Sequence, residues 1–230
     1  MTTNAKVPVT LRKKPLQTKT KRAAKGVDKR LANINLRDEL VAYRKDRILR
    51  AACDSFYEHG YHDCTVDMIA ERLSGTKAIV YYYFPDKHSI LYEIYRWALE
   101  EVQYLIHRAA TENDDARAKL AEIARNYAMW VINNTRVVGV YWREVQSLSS
   151  EARDAVLAEQ KNIDNILARV IQEGVSNGVF QMPDVQTAAR AITGMITFTY
   201  VWWRDDKRLS PEAAADFYAQ MALRVAGVLD

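Results

Sequence analysis

The chain is expected to be all-α, and three observations carry that expectation. Apolar residues recur with helical period throughout the chain that follows the basic N-terminal segment, with no stretch that alternates like a half-buried strand. Glycine, proline and short polar clusters cut the chain into pieces of helix length. Residues 65–87 describe two short helices joined by a tight turn, a pattern that only a helical domain uses.

Taken in order, the first helix is expected over residues 36–59, with Leu40, Tyr43, Ile48, Leu49, Ala52 and Phe56 inward and Gly60 as its stop. Thr65 caps a second, whose Val66, Ile69, Ala70 and Leu73 share a face, and Ser74-Gly75 breaks it. Thr76 caps a third, which puts Lys77, Ala78, Ile79, Tyr81 and Tyr82 in its first two turns. Pro85 ends that helix and Asp86 caps a long fourth one carrying Ile90, Leu91, Ile94, Tyr95, Ala98, Val102, Leu105 and Ile106. Further helices are expected over residues 115–133, over 137–147 with an early interruption at Gly139, over 150–178, from Pro183 to about Asp205, and from Pro211 to Leu229. That makes about nine.

Two helices joined by such a turn make a helix-turn-helix, whose second helix offers its first residues to base edges in the major groove of DNA. Lys77 can donate to guanine, and Tyr81 and Tyr82 bring hydroxyls and rings for sugar or thymine methyl. Thr65 and Thr76 begin helices whose N-termini can meet phosphates. Val80, Tyr83 and Phe84 are expected to pack inward. Arg44 and Arg47 are either phosphate contacts or plain surface charge.

Gly60, Tyr61, Thr65, Val66, Ile69, Ala70, Thr76, Lys77, the Tyr81–Phe84 run, Asp86 and Lys87 stand at spacings that resemble the DNA-binding half of TetR-type transcriptional repressors. The resemblance covers residues 44–91. This chain has Ser74 and Gly75 where the family usually has Gly then Val, and Ala78 and Ile79 where it often has Gly and Thr. The resemblance implies DNA contacts at Thr65, Thr76, Lys77, Ala78, Ile79, Tyr81 and Tyr82, and a backbone contact at Lys87. It also implies an all-α body with ligand and dimer surfaces, a homodimer on a palindromic operator, and a small-molecule effector that shifts the fourth helix and lowers operator affinity.

Charge is unevenly placed. Residues 1–38 hold eleven Lys and Arg against Asp28 and Asp38, leaving 22 basic against 27 acidic residues in the remainder. That segment reads as a basic flexible arm. It is a solvated leader, an arm that neutralises phosphates beside the head, or a transit peptide. The domain division expected is therefore arm 1–38, helix-turn-helix domain 39–90, and ligand-binding and dimerisation domain 91–230. No apolar signal region stands near Met1, and the longest uncharged apolar run, residues 191–203, is too short for a bilayer. With two cysteines and no disulfide framework, a reducing cytoplasm fits, with no membrane partner.

No enzyme signature is present: no GxGxxG, Walker A, GxSxG or HExxH. Cys53, His59, His62 and Cys64 lie close together, but not at the spacing of common zinc sites, so packing is the reading adopted and no metal or cofactor is expected. The helix from Pro183 is apolar nearly all round. The last helix has a broad face with Phe217, Tyr218, Met221, Ala222, Val225 and Val228, so the last two helices are expected to join two copies. A ligand cleft is expected among Tyr104, Tyr127, Met129, Trp130, Tyr141, Trp142, Met195, Phe198 and Trp202, with Asn126, Asn133, Gln103 and Arg143 as polar neighbours. Arg143 is its anchor for an acidic or acyl-type molecule, against the alternative of a well-filled core. Two other functions stay open at this point. One is an architectural DNA binder that uses the arm without sequence choice; the other is a helical ligand-binding module that no longer binds DNA.

Overall fold

The computed structural model describes residues 27–112, 115–204 and 208–228, with side chains described from Arg37 onward. The arm expected over 1–38 falls outside the described residues up to position 26. From Val27 the chain is already helical, well before the start expected at Leu36. The chain divides into two compact units between Ala42 and Tyr43. The helices are α1 (Val27–His59), α2 (Val66–Arg72), α3 (Lys77–Tyr83), α4 (Lys87–Glu112), α5 (Ala116–Asn133), α6 (Thr135–Glu144), α7 (Ser150–Ser176), α8 (Val185–Thr197), α9 (Thr199–Trp202) and α10 (Pro211–Val225). A 3-10 turn, Val145–Ser147, follows α6. Counting the bent α8–α9 rod as one, the described residues give the nine-helix layout, with no strand among them.

The helix starts follow the capping residues. Thr65 accepts from Met68 N (3.3 Å), Asp115 from Ala118 N (3.0 Å), Ser149 from Ala152 N (3.2 Å), Asp184 from Thr187 N (3.1 Å) and Ser210 from Ala213 N (3.1 Å). Each cap satisfies an otherwise orphaned amide and is worth about 1 kcal/mol. Between α2 and α3 the chain makes a Schellman turn: Ser74 N bonds Glu71 O (2.9 Å) and Gly75 N bonds Ala70 O (2.9 Å). Ser74 carries the left-handed conformation (φ 51°) that such a turn requires, and Gly75 does not. Serine holds that conformation at a cost glycine avoids. Ser74→Gly should therefore stabilise the protein by about 0.5–1 kcal/mol in urea denaturation, and a loss of stability would contradict the argument.

Three expectations are corrected. Gly139 does not interrupt its helix: α6 runs through it, because the missing side chain lets α6 lie against Tyr57 of α1. The long helix expected from Pro183 bends at Phe198. Thr197 turns its hydroxyl back onto Thr193 O (2.7 Å), a bond that competes with the helical ladder and bends helices. Leu40 and Tyr43, expected inward, are 52% and 60% exposed; helical period tells which residues share a face, not whether the face is covered.

In the second unit α5 is the central helix, packed by α4, α7, α8 and α10. Its Leu120, Ile123, Ala124, Ala128 and Val131 are buried. Helix α10 meets it with small residues, Ala214, Ala215, Ala219 and Ala222, which allow close approach and leave the large Phe217 on the outside.

Candidate nucleic-acid interface and ligand cavity

Helices α2 and α3 pack on each other and bury Val66, Ile69, Ala70 and Val80. Phe84 is buried and Tyr83 half-buried, so every third or fourth residue of the aromatic run faces in. The opposite face presents Thr76, Lys77, Ala78, Ile79, Tyr81 and Tyr82 to solvent, with Tyr82 the most open at 75%. The Lys77 ammonium lies 3.0 Å from the Asp67 carboxylate and 5.9 Å from the centre of the Tyr81 ring. Both members of that ion pair are exposed, so it holds Lys77 only weakly.

Two of the residues expected at the DNA also make bonds within the protein. The Thr65 hydroxyl is engaged by Met68 N. Lys87, expected on the DNA backbone, directs its ammonium in the free chain to Tyr61 O (2.7 Å), Cys64 O (2.8 Å) and His62 O (3.2 Å), 4.4 Å from the Tyr61 ring centre. Those three carbonyls match its three donors. The first residue of α4 thus closes the loop between α1 and α2. Cys53 and Cys64 are buried, and burial pushes the Cys53 thiol up to about 12; His59 and His62 are exposed.

The body contains a cavity of about 290 Å³. Ala98, Leu99 and Val102 of α4 and Val137, Val138, Tyr141 and Trp142 of α6 form one side. Tyr127 and Trp130 come from α5, Gln160, Ile163 and Asp164 from α7, and Arg190, Thr193, Gly194 and Thr197 from α8. The polar groups gather on the α7–α8 side. Tyr141 OH donates to Gln160 Oε1 (3.4 Å), Tyr127 OH lies 2.8 Å from Thr197 Oγ1, and Thr193 Oγ1 donates to Asp164 Oδ1 (3.0 Å). Burial raises the pKa of both phenols, which therefore stay protonated.

Of the expected ligand residues, Tyr127, Trp130, Tyr141 and Trp142 line this cavity. Tyr104 is exposed on α4, and Met195, Phe198 and Trp202 lie outside the lining. Arg143 does not face it. Its Nη2 donates to Tyr57 O (3.0 Å), its Nε to Gly139 O (3.2 Å), and its guanidinium lies 4.4 Å from the Tyr57 ring centre. The charged groups of the cavity are Arg190 and Asp164, which sequence reasoning passed over. Their signal was there: Gln160 and Asp164 interrupt the apolar stripe of α7, and Arg190, Thr193 and Thr197 recur at helical spacing on the apolar α8.

Helix α6 has a second face. Arg136 donates to Asp54 (2.8 Å) and Glu58 (3.1 Å) of α1, and Glu58 also accepts from Arg72 of α2, which donates to Ser55 Oγ as well (3.2 Å). The hydrogen bond from Arg72 is the main cause that holds the Glu58 carboxyl below its ordinary range. A Cβ on Gly139 would stand 2.7 Å from the Tyr57 ring. Arg136, Gly139 and Arg143, spaced by three and four residues, thus form one face that grips the end of α1.

A helix-turn-helix head with an open second helix, carried on a hollow helical body, defines a class: transcription regulators that answer to a small molecule. Comparison with known proteins places the chain within that class. Residues 48–94 match the family model of bacterial regulatory proteins of the tetR family, and residues 113–226 that of the tetracyclin repressor-like C-terminal domain. The chain is 25% identical over 158 residues to the fatty acid metabolism regulator protein of Bacillus subtilis, covering 68% of this chain and 81% of that protein. It matches the TetR family regulator PfmR of Thermus thermophilus with a TM-score of 0.71 and 31% identity, over 80% of this chain and 100% of that one. AibR, solved with isovaleryl coenzyme A and operator DNA, shares the fold at a TM-score of 0.71 and 21% identity, over 81% of this chain and 100% of that one. The chain belongs to the TetR family of transcriptional regulators; it is a DNA-binding regulator and not an enzyme. Among the described residues, no helix is long and apolar enough to cross a membrane.

Proposed function

We propose that the protein is a cytoplasmic repressor that binds a palindromic operator as a homodimer joined through the last two helices, and that a hydrophobic acyl-type molecule with an acidic group releases it. One observation carries the regulatory part: two walls of the cavity are also the two elements that hold the head. Helix α4 lines the cavity and begins at Lys87, which closes the α1–α2 loop. Helix α6 lines it with one face and grips α1 with the other. A ligand that moves either wall biases the head, and a bias of a few kcal/mol is enough to shift the equilibrium. The acyl character is supported by the apolar α4–α6 side, by AibR, solved with both isovaleryl coenzyme A and operator DNA, and by the name of the Bacillus subtilis relative. With Arg143 engaged on α1, Arg190 takes the role of anionic anchor.

The test is selection of duplexes from a random pool. It should return an inverted repeat, and the Lys77→Ala variant should relax base preference at one position in each half-site, losing about 1–3 kcal/mol on the best sequence. Equal loss on every duplex would remove Lys77 from base reading, and no binding at physiological salt would sink the repressor reading.

A further inference from the structure

The cavity has two unlike sides, and an account of its hydrogen bonds shows what is missing. The α4 and α6 walls offer hydrocarbon and rings. On the α7–α8 side the threonine hydroxyls already have partners, Gln160 is engaged through its oxygen only, and across the cavity the buried Trp130 indole N–H has no acceptor among the described residues. The Thr197 hydroxyl gives its hydrogen to Thr193 O (2.7 Å), so Tyr127 OH is the donor in their 2.8 Å contact. Tyr141 OH gives its hydrogen to Gln160. The Asp164 carboxylate has one neutral hydroxyl beside it, that of Thr193, whose single hydrogen is shared between Asp164 Oδ1 (3.0 Å) and Arg190 O (3.2 Å), and among the described residues no cation lies within ion-pair distance of it. Arg190, one turn before Thr193 on α8, is exposed at the edge of the cavity; it makes no ion pair within 4 Å among the described residues and attracts the Asp184 carboxylate at longer range. Asp164 is thus the one carboxylate acceptor among the lining residues and Arg190 the one cation, with the Gln160 amide and the Trp130 N–H as neutral donors beside them.

Resting on the reading of this cavity as the effector site, we infer that the effector is an amphipathic anion whose polar end also carries a hydrogen-bond donor. The apolar chain lies along α4 and α6, the anionic group meets Arg190, and a hydroxyl or amide N–H meets Asp164. A plain fatty acid satisfies Arg190 but drives water from Asp164 without replacing it. Asp164 is half-buried; a carboxylate that loses its water there without gaining a donor is disfavoured, whereas a hydrogen bond to a charged group is among the stronger ones. The Asp164–Thr193 pair is then a specificity device that selects substituted or conjugated acyl chains over simple ones.

Fluorescence of Trp130 and Trp142, both in the cavity wall, reports binding. The probes are decanoate, 3-hydroxydecanoate and decanoylglycine, the last with an amide N–H in place of the hydroxyl. At least one donor-bearing probe should bind about tenfold tighter than decanoate, and the better of the two identifies the donor as hydroxyl or amide. In Asp164→Ala the preference should fall below about threefold, while Arg190→Gln should weaken all three by a common factor and keep the preference. Should Asp164→Ala fail to fold by circular dichroism, Thr193→Val removes the one hydroxyl that serves Asp164 and should widen the preference. Decanoate binding as tightly as both other probes, a preference that survives in Asp164→Ala, or one left unwidened by Thr193→Val would overturn the donor requirement and leave the acyl reading standing. If none of the three probes quenches the tryptophans, the acyl reading falls as well.

Discussion

Phe217→Asp should leave each protomer folded, abolish the dimer, and with it abolish operator binding. Phe217 is 54% exposed in the single chain, so a carboxylate there disturbs little of the protomer's own packing. The same chain leaves Phe198 60% exposed and both Val201 and Trp202 41% exposed, in the α8–α9 segment that precedes α10. Large apolar side chains left open on packed neighbouring helices mark an interaction surface rather than ordinary scatter. The inward face of α10 explains why: its alanines are used for close contact with α5, so its bulk points away from the protomer. In a two-fold interface the substitution appears twice, and each unpaired carboxylate buried in an apolar contact costs several kcal/mol, roughly 3–5 for an uncompensated buried charge. A lone head makes half the DNA contacts, so operator affinity goes with the dimer. Sedimentation velocity decides the matter, with circular dichroism to confirm the fold; an undiminished dimer would place the interface elsewhere.

What was legible in the sequence was whatever depends on neighbours along one helix. Thr65 and Asp86 cap as expected because a cap is a contact over three residues, whereas the Thr76 hydroxyl, at its expected N-cap position, makes no cap bond. The two faces of α3 followed from period alone, with Val80 in and Tyr81 and Tyr82 out. What was not legible depends on which partner a face meets. Arg136 and Arg143 share a face by spacing, but nothing in the spacing says that α1 covers it; aromatic neighbours made Arg143 look like a cavity residue. Lys87 was read from a shared position, and its capture by three carbonyls depends on how the α1–α2 loop folds back. The bend at Phe198 comes from a threonine whose hydroxyl choice cannot be read from hydropathy. Asp164 and Arg190 were visible as polar breaks in apolar stripes, yet a break becomes a binding feature only when a second helix brings another opposite it.

The double variant Arg136→Gln with Arg143→Gln should uncouple the two sites while sparing each of them. Neither residue lines the cavity and neither lies on the exposed face of α3, so intrinsic affinity for an acyl probe and for operator should change little. The grip of α6 on α1 is what changes. Arg136 loses its contacts with Asp54 and Glu58, and Arg143 loses its bond to Tyr57 O and its place over the Tyr57 ring. Glu58 keeps Arg72, so the contact between α1 and α2 inside the head survives. If displacement of the α6 wall reaches the head through this grip, the ratio of operator affinities without and with saturating probe should collapse from the roughly 5–150-fold range typical of such coupling to about threefold or less. Coupling in binding is reciprocal, so the weakening of the probe by operator must shrink by the same factor, and measuring both directions guards against a simple loss of either site. Arg96→Gln is the control, since that arginine pairs with Glu93 and Glu100 on its own helix and bridges no two elements. A double variant that the probe still releases from operator as readily as the parent would show that α6 does not carry the signal and leave α4, through Lys87, as the route.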